Sequence, residues 1–324
     1  MLINVFEENK FNKKIIEVTR MDDDDFLKIY LTALLFVLFS ISTHAKEFSQ
    51  QHHNELVSDG PDNGLDSYTL IRTAFGKKAI ESPDLYESNH TETLHITEDE
   101  DDIVGPHFVF FSHLNDDTDR DKGKTDRQRN EIKIYDRSNP ELMGFKGDTM
   151  HYRWKFRIDN DFEFSKNFTH FFQIKAKNVS KKRNKNGGDS YPMITFTVAD
   201  IGSDENQFQL RYSSGTDKQG NKASSEKLIR EDVSLLSGKW IEFFVQITYK
   251  EKGNLQVIAK DIETDEILID FKKRKLDMWR GEGKGDFARP KWGIYRSLKD
   301  KDSLRSNEEV ARFANFAITK GKLK

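Results

Sequence analysis

Eleven short segments with the alternating pattern of β-strands follow one another along this chain, and turn residues separate them. Between them we find no long stretch with the 3.6-residue period of an amphipathic helix. Strands of this kind, joined by turns, are typical of antiparallel sheets. The pattern therefore predicts an all-β fold, a sandwich or jelly roll without internal repeats. The predicted strands are 107–113, 129–135, 149–158, 168–176, 191–199, 207–212, 240–249, 254–260, 266–271, 291–296 and 312–319.

The first 45 residues differ from the rest of the chain. Residues 29–42 form an apolar run that is too short to span a bilayer comfortably, and Ala45 follows it closely. This predicts an N-terminal extension and signal peptide cleaved after Ala45, hence a secreted or periplasmic protein without stable membrane insertion after cleavage. Acidic residues 22–25 precede the run where positive charge is usual. A membrane-anchored N-terminus is the alternative, and Met21 is an alternative start.

Residues 46–324 are predicted to form a single β domain whose first part, 46–105, is a loop-rich lead-in with one or two strands. Residues 1–45 hold 5 of the 52 Lys and Arg and 7 of the 55 Asp and Glu, so the mature chain carries 47 against 48. This balance gives no reason to expect a nucleic-acid partner. The chain has no cysteine, which excludes disulfides, thiolate zinc sites and a cysteine nucleophile. We expect a monomer.

The segment 291–297 carries the first chemical signal. Alternation along a strand places Lys291, Gly293 and Tyr295 on one face and Trp292 and Ile294 on the other. A glycine between a cation and a phenol leaves room for a ligand against the backbone. Taken alone, the segment is equally compatible with a packed tyrosine ring beside a solvated lysine.

Two further segments place polar side chains on one face of a strand. The first, 129–135, carries Arg129, Glu131 and Lys133 on the same face. The second, 168–176, carries Gln173 and Lys175 on one face, and the same alternation places His170 on the opposite, apolar face as a core residue. Each segment is compatible with a solvated surface or with the floor of a polar groove.

Together, the three segments resemble those of the polysaccharide lyases with a β-jelly-roll fold, the grouping of alginate, glucuronan and heparin lyases. Alginate lyases of that fold carry Arg-x-Glu-x-Arg, Gln-Ile-His and Lys-Ala-Gly-x-Tyr-Asn-Gln in this order, and the counterparts here begin at Arg129, Gln173 and Lys291. Two departures are Lys133 in place of a frequent arginine and Lys175 in place of the catalytic histidine. The resemblance covers most of the chain after residue 100.

The Trp-led segment 238–249 also resembles the concanavalin-like jelly rolls, so the resemblance implies two stacked antiparallel sheets. It further implies a lyase that cleaves an anionic, uronate-containing polysaccharide by β-elimination. Arg129 and Gln173 would neutralise the C6 carboxylate and Tyr295 would be the acid. The base would be Tyr295 or His113, since glucuronan lyases also carry a histidine upstream of the arginine strand.

Five residues are expected to complete the groove as substrate-binding residues: Lys175, Lys291, Arg296, Glu131 and Lys133. Lys291 and Arg296 would lower the pKa of the Tyr295 phenol. A lysine with an ordinary pKa of about 10.4 is protonated at neutral pH, so Lys175 would bind a carboxylate rather than act as the base. For Glu131, a cross-strand ion pair is the alternative.

Two other classes of function are open at this point. A non-catalytic glycan-binding module would use the same groove for affinity alone. A glycoside hydrolase is less favoured, because the Glu-x-Asp-x-x-Glu motif of laminarinase-type enzymes is absent. We expect no cofactor and no metal. Asp117, Asp119 and Asp121 alternate as in a calcium loop, yet the sixth position lacks glycine and the twelfth is Gln128, which leaves calcium as a minor alternative.

Overall fold

The computed structural model describes residues 54–321, apart from 63, 88–89, 121–122, 180–189, 203–204, 216–224, 282 and 305–307. The predicted signal peptide and its cleavage site lie outside the described residues, as does Asp121. Among the helices that are described, none is both long enough and apolar enough to cross a membrane.

The described residues form fifteen strands and one α-helix. The strands before the site are β1 (Asn54–Leu56), β2 (Ile80–Glu81), β3 (Ile96–Asp101), β4 (Gly105–His113), β5 (Arg127–Lys133), β6 (Thr149–Ile158) and β7 (Thr169–Lys177). The later strands are β8 (Ile194–Gly202), β9 (Glu205–Ser213), β10 (Ser225–Asp232), β11 (Ile241–Thr248), β12 (Gly253–Asp261), β13 (Ile267–Leu276), β14 (Phe287–Ser297) and β15 (Glu308–Lys320). The helix, α1, spans Ser67–Phe75.

The strands make two antiparallel sheets. Sheet A has the order β13-β12-β11-β6-β15-β4-β3, with β1 also paired to β15, and sheet B has the order β10-β9-β8-β7-β14-β5-β2. Aromatic side chains join the two sheets: the Trp154 and Phe172 rings stack 4.5 Å apart, and Trp292 lies 5.3 Å from Phe316. The predicted β-jelly roll of two stacked sheets is confirmed.

Every predicted strand is present, with ends shifted by a few residues in most of them. Strand β11 shows why the pattern was readable, because its residues alternate between buried and half-buried positions along its whole length. The lead-in 46–105 contains three strands, β1 to β3, where one or two were expected, and two further elements, β10 and α1, were not predicted at all. The helix begins after Asp66, whose side chain accepts a hydrogen bond from the Thr69 amide, and it buries Ile71 and Phe75 against the core.

Candidate active site

Strand β14 lies in the middle of the site and pairs with β5 on one side and β7 on the other. Tyr295 lies opposite Arg129 of β5 and His170 of β7, and Lys291 lies opposite Gln173. Nearly all residues of β14 are buried, both those on the core face of sheet B and those on its outer face. The outer face is lined by polar residues. The three segments that carried the chemical signal in the sequence therefore lie side by side in one sheet.

The predicted orientation of His170 is wrong, because β7 contains a bulge. The pairing of β7 with β8 shifts register between His170 and Phe172, and the adjacent side chains of Phe171 and Phe172 are both buried in the core. A bulge of this kind reverses the alternation beyond it. His170 therefore shares the outer face of sheet B with Gln173, and its ring centroid lies 5.9 Å from that of Tyr295. Two consecutive phenylalanines in a strand are the sequence signal that could have shown this.

The position of Gly293 in the sequence indicated room for a ligand against the backbone. The structure shows no such room. The φ of Gly293 is +133°, and a Cβ at this position would lie 2.1 Å from the carbonyl oxygen of Asn130. The backbone of β5 therefore fills the space. The register of β14 with β7 shifts between Trp292 and Tyr295, so Gly293 supplies the backbone conformation that this irregularity needs.

Glu131 is the centre of a buried ion-pair network on sheet B. Its Oε2 accepts hydrogen bonds from Arg129 and Lys291, and its Oε1 accepts one from Gln173 Nε2 at 2.5 Å. The Lys291 ammonium also lies 2.8 Å from Glu81 Oε2. The cross-strand ion pair that was the alternative for Glu131 is thus present.

Two further carboxylates complete this network: Glu81, which the sequence analysis did not name, and Asp119, which it named only as a possible calcium ligand. Glu81 of β2 pairs with Lys133 at 2.6 Å and with Arg120 at 2.9 Å. Asp119 holds Arg129 through two hydrogen bonds, to Nε at 2.7 Å and to Nη2 at 3.1 Å. Burial alone would raise the pKa of Glu81 and of Asp119, but the surrounding cations lower both. Glu81 lies in a strand of only two residues, which has no pattern of its own, and the alternating carboxylates around Asp119 indicated calcium rather than a partner for Arg129.

Arg129 is fully engaged within the network. Its donors go to Asp119 and Glu131, and its guanidinium carbon lies 3.8 Å from the centroid of the Tyr295 ring. Of the predicted substrate-binding residues, Lys133 and Lys291 also turn their ammonium groups to Glu81. Because these cations hold carboxylates of the protein, they support the site from within the sheet rather than presenting free charge to a ligand.

Tyr295 has a raised pKa, which is opposite to the expected direction. Burial raises the pKa of the phenol, and the positive charges of Arg129 and Arg127 offset this only in part. Arg127 Nη1 donates a hydrogen bond to the phenol oxygen at 2.9 Å. The cations beside Tyr295 are therefore Arg127 and Arg129, not the predicted Lys291 and Arg296, and the phenol is protonated at neutral pH.

Lys175 also differs from the expectation of a fully protonated lysine. Burial, together with the nearby charges of Lys291, Arg289 and Arg129, lowers the pKa of Lys175 to about 7. Within the described residues no carboxylate forms an ion pair with it. Lys175 thus loses its proton at a much lower pH than an ordinary lysine, and any bound anion would favour its charged form.

A cavity of about 330 Å³ opens on the outer face of sheet B. Besides serine, threonine and other tyrosine hydroxyls, its lining includes the side chains of Arg127, His170, Gln173, Lys175, Arg211 and Tyr295. Arg127 is paired with Asp126, whereas Arg211 donates to the Gln209 side chain. No acidic residue is among the lining residues, so the described part of the cavity is electropositive and suits an anionic ligand.

Arg296 does not belong to this cavity. As the neighbour of Tyr295 on the strand it points to the opposite side of sheet B, where its side chain is 0% exposed. Its guanidinium donates to Gln128 Oε1 at 2.8 and 2.9 Å and to the Glu163 carbonyl at 3.1 Å. The predicted substrate-binding role of Arg296 is therefore wrong, and a role in packing between the sheets replaces it.

His113 ends β4 in sheet A and is not among the residues that line the cavity. It belongs instead to a group that we call the histidine cluster, formed by His90, His95, His113 and Asp117. Hydrogen bonds that His113 donates to the carboxylates of Asp117 and Glu308 raise the pKa of His113, with burial acting against them. The structure therefore gives no support to His113 as the base.

The described part of the predicted calcium loop directs its carboxylates to different partners. Asp117 Oδ1 lies 2.9 Å from His95 Nε2, whereas Asp119 binds the guanidinium groups of Arg129 and Arg120. A carboxylate engaged with two arginines is a poor ligand for a second cation. The arrangement of Asp117 and Asp119 thus does not favour a shared calcium ion.

Two stacked antiparallel sheets with an electropositive cavity on one of them define a β-jelly-roll protein suited to an anionic chain. The family model described as polysaccharide lyase matches residues 88–311, and the chain belongs to this family. It is a polysaccharide lyase. A comparison with curated protein sequences finds no match.

Solved structures that are similar to this chain include two lyases. The marine PL-14 alginate lyase from Aplysia kurodai is 13% identical, with a TM-score of 0.52 over 82% of this chain and 98% of its own. The endo-β-1,4-glucuronan lyase from the fungus Trichoderma reesei is 14% identical, with a TM-score of 0.47 over 74% of this chain and 93% of its own. At 13% identity, the likeness to the alginate lyase shows the fold alone.

Proposed function

We propose that this lyase cleaves a uronate-containing anionic polysaccharide by β-elimination. The observation that carries the proposal is the cavity, in which the Tyr295 phenol and the His170 imidazole lie side by side among cations, with no carboxylate among the described lining residues. The cations attract the carboxylates of the glycan. The phenol and the imidazole supply the two groups that proton removal and leaving-group protonation require.

In the proposed reaction His170 removes the proton at C5 of the uronate. The electron pair of the broken C5–H bond forms the C4–C5 double bond. The bond between C4 and O4 breaks, and O4 takes the proton of Tyr295. Tyr295 suits this role because its phenol is protonated and its oxygen already accepts from Arg127, which leaves its own hydrogen for O4. Lys175 and the second amide hydrogen of Gln173 would bind the C6 carboxylate, where negative charge builds.

His170 is favoured over the other candidate bases by its surroundings. Its Nδ1 is 2.8 Å from Thr197 Oγ1. If Nδ1–H donates to that hydroxyl, Nε2 carries the lone pair that accepts a proton. His113 would have to act from a cluster outside the cavity. Tyr295 would have to lose its phenol proton although burial raises the pKa of that phenol.

The proposal is tested by incubating the protein with a panel of uronate polysaccharides, among them alginate and glucuronan, and following ultraviolet absorbance. β-Elimination creates a C4–C5 unsaturated uronate that absorbs there. New reducing ends without absorbance would instead mean hydrolysis, and binding without either would mean a glycan-binding module. A complete panel with no unsaturated product would overturn the uronate proposal.

Replacing the proposed base gives the next expected result. His170→Ala should lower the turnover of the best substrate about a hundredfold, because a positioned base contributes roughly 10²- to 10⁴-fold. Added imidazole should restore part of the rate in His170→Ala, which a purely structural histidine would not show. The matched control is His151→Gln in sheet A, whose rate should stay near that of the wild type. A fully active His170→Ala protein would remove His170 from the mechanism.

Lys175 should make substrate binding depend on pH. Its charge is present below its pKa of about 7 and is lost above it, so affinity for an anionic polymer should fall between pH 6 and pH 8. Lys175→Gln should bind about tenfold more weakly at pH 6 and lose this part of the pH dependence. Binding is measured by calorimetry in a Tyr295→Phe background, so that the polymer stays intact. The exposed Lys146→Gln is the control, and equal pH profiles for the two variants would contradict the prediction.

Export from the cytoplasm is a further part of the proposal. It is supported by the apolar run 29–42 and the small residue Ala45 that follows it. Expression of the full-length chain in a bacterial host should yield an extracytoplasmic protein whose N-terminus, measured by mass spectrometry, is Lys46. A cytoplasmic protein with residues 1–45 intact would contradict it.

A further inference from the structure

The histidine cluster is a group of side chains that the proposed lyase reaction does not use. Its four ligand atoms, one each from His90, His95, His113 and Asp117, all lie within 4.8 Å of one another. His95 Nε2 is 3.0 Å from His113 Nδ1 and 2.9 Å from Asp117 Oδ1. Four ligands around zinc at about 2.0–2.1 Å would be separated by about 3.3 Å, so these distances are close to those of a tetrahedral site.

The outward nitrogens of two of these rings have acceptors that fix the inward nitrogens as ligands. His95 Nδ1 is 2.7 Å from the carbonyl oxygen of Thr93, and His113 Nε2 is 2.9 Å from Glu308 Oε2. Each acceptor holds a proton on the nitrogen that faces it. A carboxylate or carbonyl behind a histidine is the usual support of a metal ligand, because it sets the tautomer and orients the ring.

Two neutral rings in that tautomer would direct the electron pairs of His95 Nε2 and His113 Nδ1 at each other and at the Asp117 carboxylate, whose side chain is 1% exposed. Burial would lower the pKa of His95, but the Asp117 and Asp84 carboxylates raise it to about 9, so in the metal-free cluster a proton lies between these atoms. The inward acceptors therefore take a cation at their centre, and a metal ion would replace that proton. A bound metal ion would satisfy all of these electron pairs at once.

His90 supplies an independent observation. Its Nδ1 is buried and has no hydrogen-bond partner among the residues that the structure describes, while its Nε2 lies 3.2 Å from Thr93 Oγ1. Buried polar atoms are nearly always paired, so an unpaired nitrogen on a ring that packs against both other histidines needs an explanation. A ligand bond to a metal ion is such an explanation.

We propose that the histidine cluster is a structural zinc site. Three imidazoles and one carboxylate match the ligand types of zinc and fill its four positions, which leaves none open for substrate. The site would join the segment before β3, the end of β4 and the turn that follows β4. That turn continues to Asp119, which holds Arg129 against Tyr295, so the metal would position the catalytic tyrosine without touching substrate.

The test uses the untagged wild-type protein, stripped with a chelator and titrated with Co²⁺ and then Zn²⁺. We expect the intense visible absorption of tetrahedral cobalt to saturate at one equivalent per chain and to vanish when zinc displaces it. Elemental analysis after gel filtration should then find about one zinc per chain. Weak, six-coordinate cobalt absorption, or zinc far below one per chain, would mean that the cluster is only a hydrogen-bonded network, and would overturn the proposal.

Single substitutions locate the metal. His90→Ala and His113→Ala should each lower zinc affinity by about a hundredfold or more, since losing even an outer-shell partner costs about 10- to 100-fold. Zinc should raise the Tm of the wild type and not that of His90→Ala. The control is His107→Gln, which alters a buried histidine with an equally unpaired Nε2 that lies beside Trp240 and outside the cluster. Unchanged zinc affinity in His90→Ala, or its loss in His107→Gln, would place any bound zinc elsewhere.

Discussion

Tyr295→Phe is expected to lower turnover about a thousandfold while leaving the fold and most substrate affinity intact. The substitution removes one hydroxyl, and the ring keeps its contacts with the Arg129 guanidinium, Phe168 and His170. What is lost is the proton that O4 needs as it leaves, and a positioned acid contributes roughly 10²- to 10⁴-fold. The measurement is the initial rate of ultraviolet absorbance on the best polysaccharide, with substrate affinity determined separately.

A matched control separates this effect from a general disturbance of the site. Arg127→Lys changes the group that donates to the phenol oxygen but leaves the phenol in place, so its loss of rate should be much smaller. Circular dichroism and Tm should show that Tyr295→Phe is folded. A folded Tyr295→Phe protein with a near-normal rate would exclude Tyr295 as the acid.

The fold could be predicted because its information is local. The alternation of buried and half-buried residues that marks β11 recurs in β12, and the turns between the strands carry their own residue signals. The elements that escaped prediction lack this information. β10 is exposed along most of its length, so it has no apolar face to produce a pattern. α1 is a single short helix in a polar region, and it is held by Asp66 and by its contact with the core.

The site could be predicted only in part because its chemistry depends on long-range contacts. The pairing of β14 with β5 and β7 brings together residues that the motifs named, such as Gln173 and Tyr295. The orientation of His170 depends on a bulge that strict alternation does not anticipate. The pKa of Lys175 and that of Tyr295 depend on burial and on neighbours distant in sequence, so the pKa of Lys175 is below the ordinary value that was expected and the pKa of Tyr295 is raised where a lowered one was expected.

Glu131→Gln is expected to destabilise the folded protein by about 3–5 kcal/mol, the second large effect. The glutamate side chain is buried and neutralises Arg129 and Lys291, whose guanidinium and ammonium groups would stay buried with less compensating charge. Breaking a buried pair by removing one partner costs far more than the pair contributes, because the remaining charge cannot return to water. Urea unfolding, followed by tryptophan fluorescence, gives the free energy of unfolding.

Two further variants test this cause. Glu251→Gln removes the carboxylate from a surface pair with Lys146 in which both side chains are more than half exposed, and it should change stability by less than about 1 kcal/mol. The double variant Glu131→Gln with Lys291→Met removes the unpaired ammonium as well, and it should regain part of the lost stability.

If Glu131→Gln unfolds at the same urea concentration as the wild type, the network contributes little and the position of Arg129 must depend on Asp119 alone. Because the same substitution also releases Gln173 from Glu131, a stable Glu131→Gln protein with weaker substrate binding would assign the network to orienting the cavity rather than to holding the sheet.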